Sequence, residues 1–231
     1  MENEKIGNEI LQPMIEQFMA NSVDLTLDYA EMALDHFLDF DLLKDVPLLG
    51  TVAKAGQATF TIKNLVMARN YYVFITDLRS DHVTTERLYK HTKKLQENPK
   101  QLIKELEMLL VYIEKYQEVE KAQYMANIYR AYLRQSVGCA FGIDWKTTTA
   151  FFEILDRLLP QDIHDLEKAQ IKGATPEMFN DHAGLLRLSA LGLLQYFNGK
   201  EEEYGYHKKG IARSTMQGKL FYRIIKTSKA I

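Results

Sequence analysis

The chain is poor in several of the residues and patterns that mark whole protein classes. Cys139 is the single cysteine in 231 residues, so an internal disulfide framework is excluded, which fits a reducing cytosol. Flanked by Gly138 and Ala140, it has no neighbouring base or cation in sequence and reads as a buried structural thiol, because thiolate chemistry needs a positive field. Five prolines and twelve glycines argue against long disordered tracts. No stretch reaches the roughly 18–20 uninterrupted apolar residues of a constitutive spanning helix. Residues 1–9 are polar and acidic, unlike the basic segment of a secretory signal. The expected location is the cytoplasm, with membrane association only on activation.

Catalytic spacing is also lacking. The six histidines, His36, His82, His91, His164, His182 and His207, include no i,i+4 pair and no H-E-x-x-H site. Asp162-Ile-His164-Asp165 groups three potential ligands, but carboxylates on one helix turn read more simply as a solvated face. Gly50 and Gly56 follow no strand, and no Gly-Lys-Ser/Thr occurs, which argues against a phosphate-cradling loop. The expectation is a protein without catalytic residues, metal or cofactor.

What the chain does have is an apolar run, Val46 to Ile62, in which Lys54 is the one charged residue. Small residues fill its centre: Gly50, Thr51, Ala53, Ala55, Gly56, Ala58 and Thr59. A helix on a globular surface alternates large apolar and charged positions. A weakly sided, small-residue run suits close helix packing or entry into lipid, and Thr51, Ala55 and Thr59 keep the four-residue spacing of small-xxx-small contacts. Val46, Leu48, Leu49, Gly50, Thr51, Ala55, Gly56, Thr59 and Ile62 are therefore the candidate membrane-active or oligomerisation segment. A lysine near the bilayer centre costs about 3 kcal/mol, so oligomerisation around a polar lumen would be needed, with Tyr71, Tyr72 and Phe74 at the interface. The same run also suits a helical hairpin buried in a bundle.

Charge is segregated. Through residue 45, eleven acids face two bases, and from Gly205 to Ile231 seven bases (Lys208, Lys209, Arg213, Lys219, Arg223, Lys226 and Lys229) face no acid. Such polarity points to an internal acidic–basic contact or to an anionic partner for the basic end. Asp24, Asp28, Glu31, Asp35 and Asp39 fall on one helix stripe, a solvated face or a latch for a basic element.

Helical signals run through the chain. Asp45 and Pro47 open a helix extending to about residue 78. A polar helix covers 84–96, and Asn98-Pro99 is an N-cap and first residue for the next. Leu102, Leu106, Leu109 and Ile113 give the clearest apolar stripe. A further helix carries Tyr124, Ile128, Ala131 and Tyr132. Asp144 then caps a helix rich in Phe151, Phe152, Leu155 and Leu158, stopped by Pro160, and 161–171 forms a short charged helix. Thr175-Pro176 opens a helix through roughly Tyr196, followed by a hairpin-prone segment from Asn198 to Gly210 and a last apolar helix opened by Thr215-Met-Gln-Gly218.

This ending, helix, Leu-Gly-Leu exit, hairpin and Thr-x-x-Gly helix, resembles the end of a winged-helix domain, whose three-helix start would have to borrow from 144–172. The resemblance implies contacts through Arg187, Lys208, Lys209 and Arg213, to a partner protein or to nucleic acid. Taken with Leu42-Leu-Lys-Asp-Val-Pro-Leu-Leu-Gly-Thr51, it also makes the chain similar to a loose group of small bacterial phage-defence proteins. That resemblance implies sensing of a phage assembly, oligomerisation at the membrane and killing or arrest of the cell. The expected fold is all-α, about eight helices, with a bundle over 1–172 and a small winged-helix-like unit over 173–231 containing one β-hairpin. The expected function is a cytoplasmic anti-phage, abortive-infection effector that binds a phage-derived or other protein, forms a homo-oligomer and disrupts the membrane. The alternative is a winged-helix DNA-binding regulator with a helical dimerisation domain.

Overall fold

A computed structural model of the chain describes residues 18, 62–80, 82–136, 142–170, 178–179, 182–197 and 211–226. Among these residues the fold is all-α with one small antiparallel hairpin. Eight helices are present: α1 (Ile62–Leu78), α2 (His82–Gln96), α3 (Pro99–Lys115), α4 (Val119–Ser136), α5 (Trp145–Arg157), α6 (Pro160–Lys168), α7 (His182–Ala190) and α8 (Met216–Lys226). Strands β1 (Leu194–Phe197) and β2 (Ile211–Ser214) lie between α7 and α8. The chain divides into two compact units, Met1–Asp144 and Trp145–Ile231. Helices α5 and α6, in sequence continuous with the bundle, thus belong with the hairpin. Of run 46–62 only Ile62 is described, as the first residue of α1.

The first unit is built around α4. From Met125 to Leu133 its residues are buried except the half-buried Asn127, so it meets neighbours on nearly every side, with α1 and α2 both packed on it and on α3. Helix α1 presents Tyr71, Phe74, Ile75 and Leu78 at three- and four-residue spacing, all at most 3% exposed, the stripe a packed helix requires. Tyr71, Tyr72 and Phe74 therefore lie in the core of this form. Polar side chains fix the middle and the C-terminal end of α1. Asn70 Nδ2 donates to the Tyr116 carbonyl (2.5 Å) and Arg69 to that of Gln117 (2.7 Å). Arg130 of α4 donates to the Asp77 carbonyl and pairs with its carboxylate (3.2 Å). Arg79 donates to the carbonyl of Phe18 (3.1 Å), a residue 1% exposed. At the start of α3 the Asn98 side chain accepts from the Gln101 amide (3.4 Å), with Pro99 in the first turn, as the sequence predicts.

The second unit has its own core. Phe151 and Phe152 of α5 and Phe221 of α8 are at most 1% exposed, and Phe151 meets Phe221 edge-on at 5.2 Å between ring centres. Each such burial stabilises by about 1.5–3 kcal/mol. Pro160 opens α6 as well as closing the segment before it, since proline needs no amide partner in a first turn. Helix α7 is shorter than its leucine-rich sequence predicts. It ends at Ala190, and Leu194–Phe197 pairs with Ile211–Ser214 in the register Leu194↔Ser214 to Phe197↔Ile211.

Candidate functional site

Two buried polar networks and one helix junction carry the specific geometry of the molecule. The first network joins three helices of the first unit. Glu105, on α3, has one carboxylate oxygen 2.8 Å from Nε2 of His91 on α2 and accepts the Tyr129 hydroxyl of α4 at 2.5 Å. Its other oxygen accepts from the Tyr132 hydroxyl at 3.4 Å. None of the four residues exceeds 8% exposure. The His91 ring also stands edge-on to Tyr132, with centres 5.1 Å apart. Burial pushes the Tyr129 phenol well above its usual value, and the adjacent Glu105 carboxylate pushes it further. Tyr132 is raised by the same two causes in the same order. Held from three sides inside the bundle, Glu105 orients α2, α3 and α4 relative to one another. Sequence reading missed this group because it sought histidine partners along one helix. The signal was present: Glu105 falls on the stripe of Leu102, Leu106 and Leu109, and His91 on that of Leu88 and Leu95. An acid on an apolar stripe needs a partner from another element.

The second network lies in the other unit. Asp162, in the first turn of α6 and fully buried, accepts a bidentate pair from Arg187 of α7, both bonds 2.7 Å. It also accepts the Leu159 amide at 2.7 Å. Asp165 is fully buried too and pairs with Lys168 at 3.2 Å. The expected solvated face over 162–165 is thus corrected, because two of its carboxylates are interior and answered by cations. Among the described residues no group of histidine, cysteine or carboxylate side chains could hold a metal ion.

The junction is where the Leu-Gly-Leu and Thr-x-x-Gly motifs meet. Helix α7 ends when Gly192 takes a φ of 72°. The Leu193 amide then bonds back to Leu188 and the Gly192 amide to Ser189, both at 3.0 Å, the double closure that a left-handed glycine permits. Leu188 and Leu193 are fully buried beneath the turn. Thr215 accepts the Gly218 amide through its hydroxyl oxygen (2.9 Å) as the N-cap of α8. The same hydroxyl donates to the Gly192 carbonyl (2.7 Å), and the Thr215 amide donates to Leu193 (3.0 Å). Gly218 lies so near the Leu193 carbonyl and the Ser214 side chain that any Cβ would collide with both. One threonine therefore stitches the end of α7 to the start of α8.

Of the sequence-predicted site residues, Ile62, Arg187 and Arg213 are among the described residues. Val46, Leu48, Leu49, Gly50, Thr51, Ala55, Gly56, Thr59, Lys208 and Lys209 lie outside the described residues, as do Cys139 and the acidic stripe from Asp24 to Asp39. Arg187 is engaged by Asp162 and 30% exposed at its side chain. Arg213 is exposed on β2, opposite Gln195 in the hairpin. Among the described residues no helix is long and apolar enough to cross a membrane. No protein-family model matches the chain, and no curated protein or solved structure shows significant similarity to it.

Proposed function

We propose that this chain is a non-catalytic effector of bacterial anti-phage defence, of the abortive-infection kind. A phage-derived partner triggers it, it forms a homo-oligomer, and the run from Val46 to Ile62 disrupts the membrane. The observation that carries this reading is the continuity of that run with α1. Ile62 opens a helix tied to the bundle by Asn70, Arg69 and Asp77, so a small-residue apolar segment is joined directly to a firmly held rod. Helix α1 and its partners supply the anchorage against which such a segment can act. The test is expression in bacteria with the trigger present. Gly56→Asp places a charge in the run, which costs about 3 kcal/mol at the bilayer centre, and is expected to abolish toxicity while the circular dichroism of the soluble protein stays unchanged. Undiminished toxicity would remove the membrane mechanism.

The second reading is a DNA-binding regulator with a winged-helix-like C-terminal unit. It is favoured by the order α5, α6, α7, hairpin, α8 and by the motif-built junction between the last two helices. Against it, the helix before the hairpin turns Ala183, Leu186 and Ala190 outward while Arg187 is held by Asp162. Phosphate recognition calls for cations there. Duplex DNA that is shifted at low salt, and no longer shifted by Lys208→Glu/Lys209→Glu/Arg213→Glu protein, would establish this reading instead.

A further inference from the structure

Helix α8 is packed on one side and open on the other. Gly218, Phe221 and Ile225 face the core. On the open side Met216, Leu220 and Arg223 follow at i, i+4 and i+7, and Lys219 and Lys226 stand beside them. Met216 is 83% exposed and Leu220 41%. In 216–226 there is no acidic residue, and Lys226 at the end of the helix pairs with Glu167 of α6 at 3.4 Å. The exposed methionine and leucine are thus bordered by cations, and the whole helix lies within the acid-free segment Gly205 to Ile231.

We infer that the outer face of α8 is a docking surface for an anionic membrane. Charge complementarity selects an anionic partner, and the apolar centre of the face selects lipid over nucleic acid. A phosphodiester backbone rewards cations but gains nothing from Met216 and Leu220. At a lipid interface the apolar side chains enter the acyl boundary while the lysines and arginine meet the headgroups. This surface is independent of any action of run 46–62, because it holds the protein to a bilayer without crossing it.

The experiment is co-sedimentation of full-length protein with phosphatidylglycerol–phosphatidylcholine vesicles and with phosphatidylcholine vesicles alone, with leakage recorded separately. Binding to the anionic vesicles alone is expected, falling as salt is raised. Lys219→Glu/Arg223→Glu is expected to weaken it about 25-fold or more, at about fivefold for each basic residue. Met216→Ser/Leu220→Ser keeps every charge and alters only exposed positions; it is expected to weaken binding measurably with thermal melting unchanged. Absence of binding to anionic vesicles, equal binding to neutral ones, or an unaffected Met216→Ser/Leu220→Ser protein would each overturn the proposal. Displacement of the vesicles by duplex DNA at equal phosphate concentration would overturn it in favour of nucleic acid. Binding of the unaltered protein without leakage would count against run 46–62 and support this face.

Discussion

Glu105 shows how much a single side chain decides in this molecule. It is 3% exposed and is met by His91, Tyr129 and Tyr132 from two other helices. Removing one partner of a buried charged network costs more than the network adds, because the remaining polar groups are left without water or partners. Glu105→Ala is therefore expected to destabilise the protein by about 3–5 kcal/mol, read as a lower urea midpoint. Tyr71, Tyr129 and Tyr132 give the same core a pH signature. Their phenols are raised in the folded protein, Tyr71 by burial with Arg79 opposing, while an unfolded chain loses those protons near about pH 10. The native state then holds more protons than the unfolded state, so stability is fully present below about pH 10 and declines above it. For each fully buried tyrosine the slope is about 1.4 kcal/mol per pH unit. Urea melts between pH 8 and 11.5 are expected to stay level and then fall, and Tyr129→Phe should make the fall shallower. Glu105 and His91 were legible in outline as polar residues on apolar stripes. Their pairing was not, because it depends on how α2, α3 and α4 are placed in space.

At the scale of elements, local rules performed well where the determining groups are neighbours in sequence. Asn98-Pro99 starts α3 and Thr215-x-x-Gly218 starts α8, since caps act across three residues. Leucine periodicity did less well. Leu185 to Leu194 continues an apolar pattern through both a helix and a strand, and a short apolar run does not distinguish them. The left-handed Gly192 makes the break and Leu194 begins the hairpin. The two glycines of this junction act for different reasons, which predicts different costs. Gly192→Ala meets nothing nearer than the Gln217 side chain at 3.6 Å and is expected to lose about 1–2 kcal/mol from backbone conformation alone. Gly218→Ala drives a methyl group into the Leu193 carbonyl, with an expected loss of about 3 kcal/mol, at the upper end of overpacking. Chemical unfolding of the two variants separates them; equal losses would contradict the close approach at Gly218.

For the whole molecule, the chain divides into Met1–Asp144 and Trp145–Ile231, and the two proposals rest on different units. The first unit anchors the helix into which run 46–62 continues; the second presents a basic and apolar helix face in α8. Periodicity indicated a helical fold because apolar stripes of helical spacing recur along the chain. It did not indicate function, since neither the run nor the basic end carries a reaction in its spacing. The central claim is that the chain permeabilises membranes when triggered. The direct measurement is dye release from anionic liposomes by purified protein, with and without lysate of phage-infected cells. Release only with infected lysate, and none from Gly56→Asp protein, is the predicted result. Absence of release under both conditions, or equal release without the lysate, would contradict it.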